Sequence, residues 1–171
     1  MKNIKTLAQD IYAVLSEQKV ARPAVEEFAN SLARRLVERL CESRDKPSLR
    51  LSNFGMPDRK LWYSINRPEL AEELPGQVRL KFLIGDIIEE LVIFLIKQTD
   101  HIIEGEQDEI NLHGVVGHRD AVIDGVTADV KSANSRSFEK FARHLLESDD
   151  PFNYILQLSS YVEGGRDDPL V

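Results

Sequence analysis

Two aspartates and a lysine lie close to a predicted turn: Asp120, Asp129 and Lys131. Asp124-Gly125 separates two strand-like runs and is a strong signal for a two-residue β-hairpin turn. This turn places Asp120 directly opposite Asp129. Lys131 follows Asp129 by two residues and shares its face, because side chains alternate along a strand. His118 is predicted on the same polar face, whereas the reverse face is mostly apolar and should pack inward.

This arrangement has a specific chemical consequence. Opposed carboxylates roughly 5 Å apart at Cβ are unfavourable unless something neutralises them, and a divalent cation does so. Oxygen ligands suit Mg²⁺ or Mn²⁺ better than zinc. A metal that polarises a phosphate, together with Lys131 beside it, would suit phosphodiester hydrolysis. By itself, an Asp-x-Lys triplet usually marks solvated surface charges.

A third carboxylate is expected on the long apolar helix before the hairpin. Glu89 follows Gly85 by four residues and therefore shares its side of the helix. A carboxylate among so many apolar residues is costly unless it is exposed or paired. Glu90 is the rival for the buried position, and either residue could be an ordinary surface acid.

Besides His118 on the hairpin, two further groups of residues could contact a nucleic acid. Gln157 and Tyr161 share a helix face and can hydrogen-bond to phosphate or to the lysine, although a structural role also fits them. In an irregular, proline-punctuated stretch, Arg59 and Lys60 lie next to Trp62 and Tyr63. The alternatives for this stretch are a loop packed by its own aromatic residues or a DNA contact.

The hydropathy pattern predicts the elements that position these residues. The order of helices, strands and helices predicts an α+β or α/β domain with a small mixed sheet flanked by helices. We predict helices over residues 4–17, 22–43, 79–98, 137–147 and 151–162, strands over 101–105, 108–116, 117–123 and 126–132, and an irregular segment over 44–79. The helix over 79–98 should be central and well buried.

The bulk composition limits the class of protein to which the chain can belong. The chain has 171 residues, a net charge of −7 and one cysteine, Cys41. The charge counts against a protein that coats nucleic acid with a basic surface, but not against an acidic metal site. One cysteine excludes an internal disulfide framework. No apolar run is long enough to span a membrane, so we expect a soluble cytoplasmic protein without a membrane partner.

The motifs taken together resemble the PD-(D/E)xK nuclease superfamily, specifically its RecB-like and lambda-exonuclease-like branch, over roughly residues 80–162. The helix-borne acid resembles Glu89, and Gly-x-x-Asp matches Gly117 to Asp120. The acid-x-Lys motif matches Asp129-Val130-Lys131, and Gln-x-x-x-Tyr matches Gln157 to Tyr161. Phage-type exonucleases show the most similar overall pattern.

The resemblance implies a restriction-endonuclease-like core over residues 79–171, preceded by a helical and basic/aromatic segment over residues 1–78. It implies that Asp120 and Asp129 bind Mg²⁺ or Mn²⁺ with Glu89 assisting, and that Lys131 is catalytic. Several relatives bind an iron–sulfur cluster, but Met56-Pro57-Asp58 stands where they have a cysteine, so no cluster is expected. Further strands usually follow the Gln-x-x-x-Tyr helix, so either the chain is truncated or its sheet is minimal.

The expected function is therefore metal-dependent DNA exonuclease activity in recombination, repair or phage DNA metabolism, with a product that carries a 5′-phosphate by analogy. A homo-oligomer and a recombination partner protein are compatible with it. A structure-selective endonuclease and a non-cleaving DNA-binding protein that retains the fold are the alternatives.

Overall fold

A computed structural model describes residues 2–41 and 48–165. Helices come first, short strands follow, and two helices close the chain, which confirms the predicted α+β class. The described elements are α1 (Leu7–Glu17), α2 (Arg22–Cys41), α3 (Asp58–Asn66), α4 (Gly76–Lys97), β1 (Ile103–Glu104), β2 (Glu109–Leu112), β3 (Val115–His118), β4 (Ala121–Ile123), β5 (Val126–Ala128), α5 (Ser135–Ala142) and α6 (Tyr154–Gly164), with 3₁₀ turns at Ile4–Thr6, Leu51–Asn53 and Pro68–Leu70.

The strands form two small antiparallel sheets instead of the single mixed sheet that we predicted. One sheet has the order β1-β4-β5 and the other pairs β2 with β3. The parallel pairing in the described chain is an isolated bridge between Arg50 and Val116. The predicted strand over 108–116 is instead divided at His113 and Gly114, whose φ angles of +51° and +84° reverse the chain between β2 and β3. The predicted boundary between residues 116 and 117 is therefore wrong.

The predicted hairpin register is confirmed. Ala121 pairs with Ala128 and Ile123 pairs with Val126, so Asp124 and Gly125 form the turn. Their φ angles of +51° and +80° are those of a type I′ turn. The backbone ladder is shorter than predicted, because it ends one pair before Asp120 and Asp129.

The core consists of two small clusters. Ile93 and Ile96 of α4 pack against Ala121 and Ile123 of β4. The second cluster joins Leu51, Ile110 and Tyr161. The apolar reverse face of the hairpin therefore packs inward as predicted, except at Val126, which is exposed at the turn.

Helix α4 is central but only partly buried. It contacts α1 and α2 as well as the hairpin. Its buried residues, Ile93, Leu95 and Ile96, all lie near its C-terminal end. Leu80 and Phe82 near the other end are exposed, so the prediction of a well-buried helix holds only toward its C-terminal end. The neighbouring elements cover its middle partly and its C-terminal end most completely.

Three other boundaries differ from the sequence prediction. The irregular segment 44–79 contains α3, which starts after Pro57 with the favourable first-turn acid Asp58 and half-buries Leu61 and Ile65 on one side. Helix α5 ends at Ala142, before His144 with φ +55°, and α6 begins only at Tyr154. Residues 42 and 43, the predicted end of the second helix, lie outside the described residues.

A buried histidine connects the N-terminal helix to the hairpin turn. His101 has no exposed side-chain surface, and its two ring nitrogens lie 2.6 Å from Asp124 Oδ2 and 2.9 Å from Asp10 Oδ2. Thr6 donates to the same Asp10 oxygen at 2.8 Å. Within residues 2–41 and 48–165, none of the helices combines the length and apolar character needed to cross a membrane.

Candidate nuclease site

The open end of the β4–β5 hairpin holds Asp120, Asp129 and Lys131. The Val130 N–H donates a 2.6 Å hydrogen bond to Asp120 Oδ2, so a side chain continues the cross-strand pairing where the ladder ends. Lys131 Nζ lies 2.5 Å from Asp129 Oδ2. Both side chains of this ion pair are largely shielded from solvent. The acid-x-Lys motif therefore forms a largely shielded ion pair and is not a pair of solvated surface charges.

The pKa values of Asp120 and Lys131 indicate that the charges of this group of residues act on one another. Burial raises the pKa of the Asp120 carboxyl, the Val130 hydrogen bond opposes the rise, and the charge of Asp129 adds to it. Burial alone would lower the pKa of Lys131, but the charge and hydrogen bond of Asp129 outweigh it and raise that pKa above its ordinary value. Lys131 is therefore an ammonium at neutral pH, which suits charge stabilisation rather than proton abstraction.

Glu89 is the helix-borne acid whose carboxyl interacts with that of Asp120. Burial raises the pKa of Glu89 to about 7, and the charge of Asp120 is the next largest contribution to the rise. Gln107 Nε2 donates to its Oε1 at 2.8 Å. One turn earlier, a Cβ on Gly85 would lie 3.5 Å from Ser132 Oγ, so α4 runs close to the chain just after Lys131. Glu89 rather than Glu90 is thus the glutamate coupled to Asp120.

Arg35 of α2 is a member of the site that the sequence did not indicate. Its Nη2 lies 3.0 Å from Glu89 and its Nη1 lies 3.1 Å from Glu90. Its positive charge partly opposes the rise in the pKa of both Glu89 and Asp120. No local motif could have revealed it, because Arg35 is 54 residues from Glu89 in sequence.

Tyr161 and Gln157 border the same cluster from α6. Gln157 Nε2 donates to Tyr161 Oη at 2.9 Å. Burial raises the pKa of Tyr161, and the charges of Asp129 and Lys131 also act on it. A Cβ on Gly117 would lie 2.9 Å from Tyr161 Cε1 and 2.8 Å from Leu51 Cβ, so only glycine fits there. The glycine of the Gly-x-x-Asp motif therefore makes room for the tyrosine.

Tyr154 is a second neighbour that sequence reasoning missed. Lys131 Nζ lies 5.8 Å from the centroid of its ring, within cation–π range. Burial raises the pKa of Tyr154, and the charge of Lys131 opposes the rise. A signal was present in the sequence, because Tyr154 precedes Gln157 by three residues and Tyr161 by seven, which is the spacing of one helix face.

The other predicted DNA contacts lie apart from this cluster. Arg59, Lys60 and Trp62 lie exposed on α3. The Arg59 guanidinium lies 5.8 Å from the Tyr63 ring centroid, and Trp62 meets Tyr63 edge-on at 5.1 Å. None of the contacts described above for the acidic cluster (Glu89, Asp120 and Asp129) involves these residues.

His118 is exposed at the end of β3, opposite Glu109. We predicted that it shares the polar face of one strand with Asp120. That prediction is wrong, because the strand breaks after His118 and β4 belongs to the other sheet.

The donor chemistry of the cluster fits a hard divalent cation, since Glu89, Asp120 and Asp129 supply only oxygen ligands. Burial and the charge of a neighbouring carboxylate disfavour the ionisation of Glu89 and Asp120, and a bound cation would offset this cost. Among the described residues, however, no group of three or more acidic, histidine or cysteine side chains is arranged to hold a metal ion. Asp129 is turned to Lys131 and Glu89 to Arg35, so metal binding would require these side chains to rotate.

Comparison of the chain with protein-family models, with curated proteins and with solved structures found no match. Membership of the PD-(D/E)xK superfamily therefore remains a prediction from the motifs.

Proposed function

We propose that this chain is a metal-dependent deoxyribonuclease that hydrolyses phosphodiester bonds in DNA, acting as an exonuclease. The observation that carries the proposal is the set of carboxylates at the end of the hairpin: Asp129 is paired with Lys131, Asp120 is coupled to both, and Glu89 is coupled to Asp120. A structural ion pair does not require a third, unfavourable carboxylate with a pKa near 7.

Asp120 and Asp129 would hold Mg²⁺ or Mn²⁺, with Glu89 as the third carboxylate. When bound, the ion supplies Lewis-acid polarisation of the phosphate and lowers the pKa of a coordinated water. Lys131 contributes a fixed positive charge that stabilises the additional negative charge on the phosphate as the bond to the leaving oxygen breaks.

Tyr161 and Gln157 have different proposed roles. Tyr161 is only 2% exposed, so we assign it to positioning: it lies close enough to Lys131 and Asp129 for their charges to act on it, and its role would be to keep both side chains in place. Gln157 is half-buried and lies at the edge of the cluster, where its amide can reach a phosphate oxygen of the bound strand. Arg35 keeps Glu89 partly neutralised until a metal ion replaces its charge.

The biological setting follows from the resemblance. Digestion in recombination, repair or phage DNA metabolism, a product with a 5′-phosphate, and work in the cytoplasm with a recombination partner or as a homo-oligomer are parts of the proposal. Linear substrates test exonuclease activity, and covalently closed circular DNA tests the endonuclease alternative, because an exonuclease leaves it intact.

The direct test uses end-labelled linear DNA with Mg²⁺ or Mn²⁺, and the same reaction in EDTA. We expect metal-dependent release of label, reduced roughly a hundredfold or more in Asp120→Ala and Lys131→Ala. Lys97→Ala is the matched control, because Lys97 also forms an ion pair, with Glu106 at 2.7 Å, outside the cluster. Cleavage that is absent, or that survives both site substitutions, contradicts the proposal.

One observation favours a second candidate, a DNA-binding protein that does not cleave. Asp129, Glu89 and Asp120 each have a protein partner already, as in a structural ion network. This candidate predicts DNA binding that is unchanged in Asp129→Ala and Lys131→Ala, with no cleavage in either metal.

A further inference from the structure

Three aromatic side chains cluster next to the proposed catalytic lysine. Tyr154, the first residue of α6, stacks with Phe141 of α5 at 5.8 Å between ring centroids and with Phe152 at 5.4 Å. The ring planes are within 30° and 27° of parallel. Because Lys131 Nζ is 5.8 Å from the Tyr154 centroid, this aromatic cluster (Phe141, Phe152 and Tyr154) adjoins the site where the phosphate would be cleaved.

Phe152 is the outer member of the aromatic cluster. It is 64% exposed although its ring is stacked on Tyr154. A phenylalanine that remains this exposed contributes little to the core, yet its orientation is fixed by its neighbour. A fixed, accessible aromatic ring is the feature on which unpaired bases stack in proteins that bind single strands.

The charges around the cluster permit an anionic strand. Asp149 is paired with Lys140 at 2.6 Å, and Asp150 accepts the Ile155 N–H at 2.8 Å at the start of α6. Asp149 is thus paired with a lysine, and Asp150 is half-buried and held to the start of α6 through one carboxylate oxygen, while its other oxygen has no hydrogen-bond partner among the described residues. Lys131 at one side and Arg136, four residues before Lys140 on α5 and exposed, supply positive charge for phosphates.

We propose that the aromatic cluster is a stacking site for the unpaired bases of a single-stranded DNA segment next to the scissile phosphate. The proposal rests on the nuclease function proposed above and deepens it, because it assigns a strand with accessible bases as the substrate class. Stacking is tolerant of sequence, since every base has a π-face, so little base preference is expected.

The test measures binding without cleavage, in EDTA, by fluorescence anisotropy. The probes are a labelled oligothymidine and an abasic oligonucleotide of equal length, which keeps the phosphates but has no bases to stack. We expect Phe152→Ala to weaken oligothymidine binding by roughly five- to a hundredfold and to leave abasic binding unchanged. Phe152→Leu should behave like the alanine variant, because it keeps apolar bulk but cannot stack. Tyr12→Ala is the control, since Tyr12 is an equally exposed aromatic residue, at 67%, on α1.

Each result is decisive for one proposal or the other. Equal oligothymidine affinity in the wild type and Phe152→Ala overturns the stacking site, even if the enzyme cleaves DNA. A matching loss on the abasic strand also overturns it, because the effect would then not involve bases. Base-dependent loss without any metal-dependent cleavage supports the stacking site and refutes the nuclease. No binding to either strand refutes the stacking site and leaves a protein partner as the occupant of the exposed ring.

Discussion

Arg35 of α2 bridges two consecutive glutamates of α4, with its guanidinium 3.0 Å from Glu89 and 3.1 Å from Glu90. All three side chains are mostly shielded from solvent. The N-terminal helices therefore contribute charge directly to the acidic cluster. The charge of the same guanidinium also acts on Asp120. Arg35 therefore partly neutralises the carboxylates that the proposed divalent cation would neutralise when bound.

Replacing Arg35 should therefore have two separable effects. Arg35→Met leaves two shielded carboxylates without their partner, and we expect the free energy of unfolding to fall by about 3 kcal/mol. The same change should tighten Mg²⁺ binding, because a competing positive charge is removed. Urea unfolding in EDTA and calorimetric titration with Mg²⁺ measure the two effects.

Arg39→Met is the matched control for this change. Arg39 pairs with Asp86 at 2.8 Å but is half-exposed, so its loss should cost less than about 1 kcal/mol. Unchanged Mg²⁺ affinity in Arg35→Met would contradict the competing role of that guanidinium.

Glu89 predicts a pH-dependent stability of the metal-free protein. Its pKa is raised from 4.5 to about 7, so the folded state favours the protonated acid. Its favourable contribution is complete below pH 4.5 and is lost as the pH rises through 7. Glu89→Gln should remove that loss and stabilise the protein above neutral pH by up to about 3 kcal/mol, while it lowers metal-dependent cleavage. A constant difference between the two proteins from acid to neutral pH in urea unfolding would contradict the raised pKa.

The parts of this site that lie on the hairpin could be predicted from the sequence, whereas those that depend on helix packing could not. Asp124-Gly125 is a local signal, so the turn, the register and the proximity of Asp120, Asp129 and Lys131 follow from neighbouring residues. Arg35 was not predictable, because its contact with Glu89 depends on how α2 packs on α4. His118 was assigned to the wrong surface for a related reason: the sequence does not show that β3 and β4 belong to different sheets.

Gly117 should be intolerant of any side chain. A Cβ there would lie 2.8 Å from Leu51 Cβ and 2.9 Å from Tyr161 Cε1, so Gly117→Ala should destabilise by about 1–3 kcal/mol and displace Tyr161. Gly76→Ala is the control, because nothing lies within 4 Å of the added methyl group. Thermal unfolding measures both variants, and equal melting temperatures would show that Tyr161 does not pack on Gly117 as described.

His101 should stabilise the docking of α1 most strongly at mildly acidic pH. Burial alone would lower its pKa, but the hydrogen bonds that the imidazolium donates to Asp124 and Asp10 raise it above 6.5, so this contribution is lost as the pH rises through the raised value. The pKa of Asp10 is lowered to about 2 and that of Asp124 is also lowered, so their contributions are lost below about pH 4. His101→Gln should abolish the loss of α1 amide protection in hydrogen exchange on going from pH 6 to pH 8, whereas His144→Gln, at an exposed position, should keep it. Identical pH profiles in His101→Gln and the wild type would refute the bridge.

Trp62 offers a direct test of whether α3 contacts DNA. It is the single tryptophan of the chain and is 52% exposed, so the intrinsic tryptophan emission reports on α3 alone. If α3 contacts DNA, stacking of a base on the indole should quench this emission in EDTA, and the double change Arg59→Gln and Lys60→Gln should weaken the quenching and reduce its salt dependence, because phosphate contacts would be lost. The matched control exchanges Lys81, an exposed lysine of α4, for glutamine, which changes the net charge without touching α3.

Anisotropy would show whether oligothymidine binds the protein at all. If it binds while the tryptophan emission stays constant, the aromatic residues of α3 pack against one another and do not contact DNA. In that case the strand would follow α5 and α6, and α3 would take no part in DNA binding.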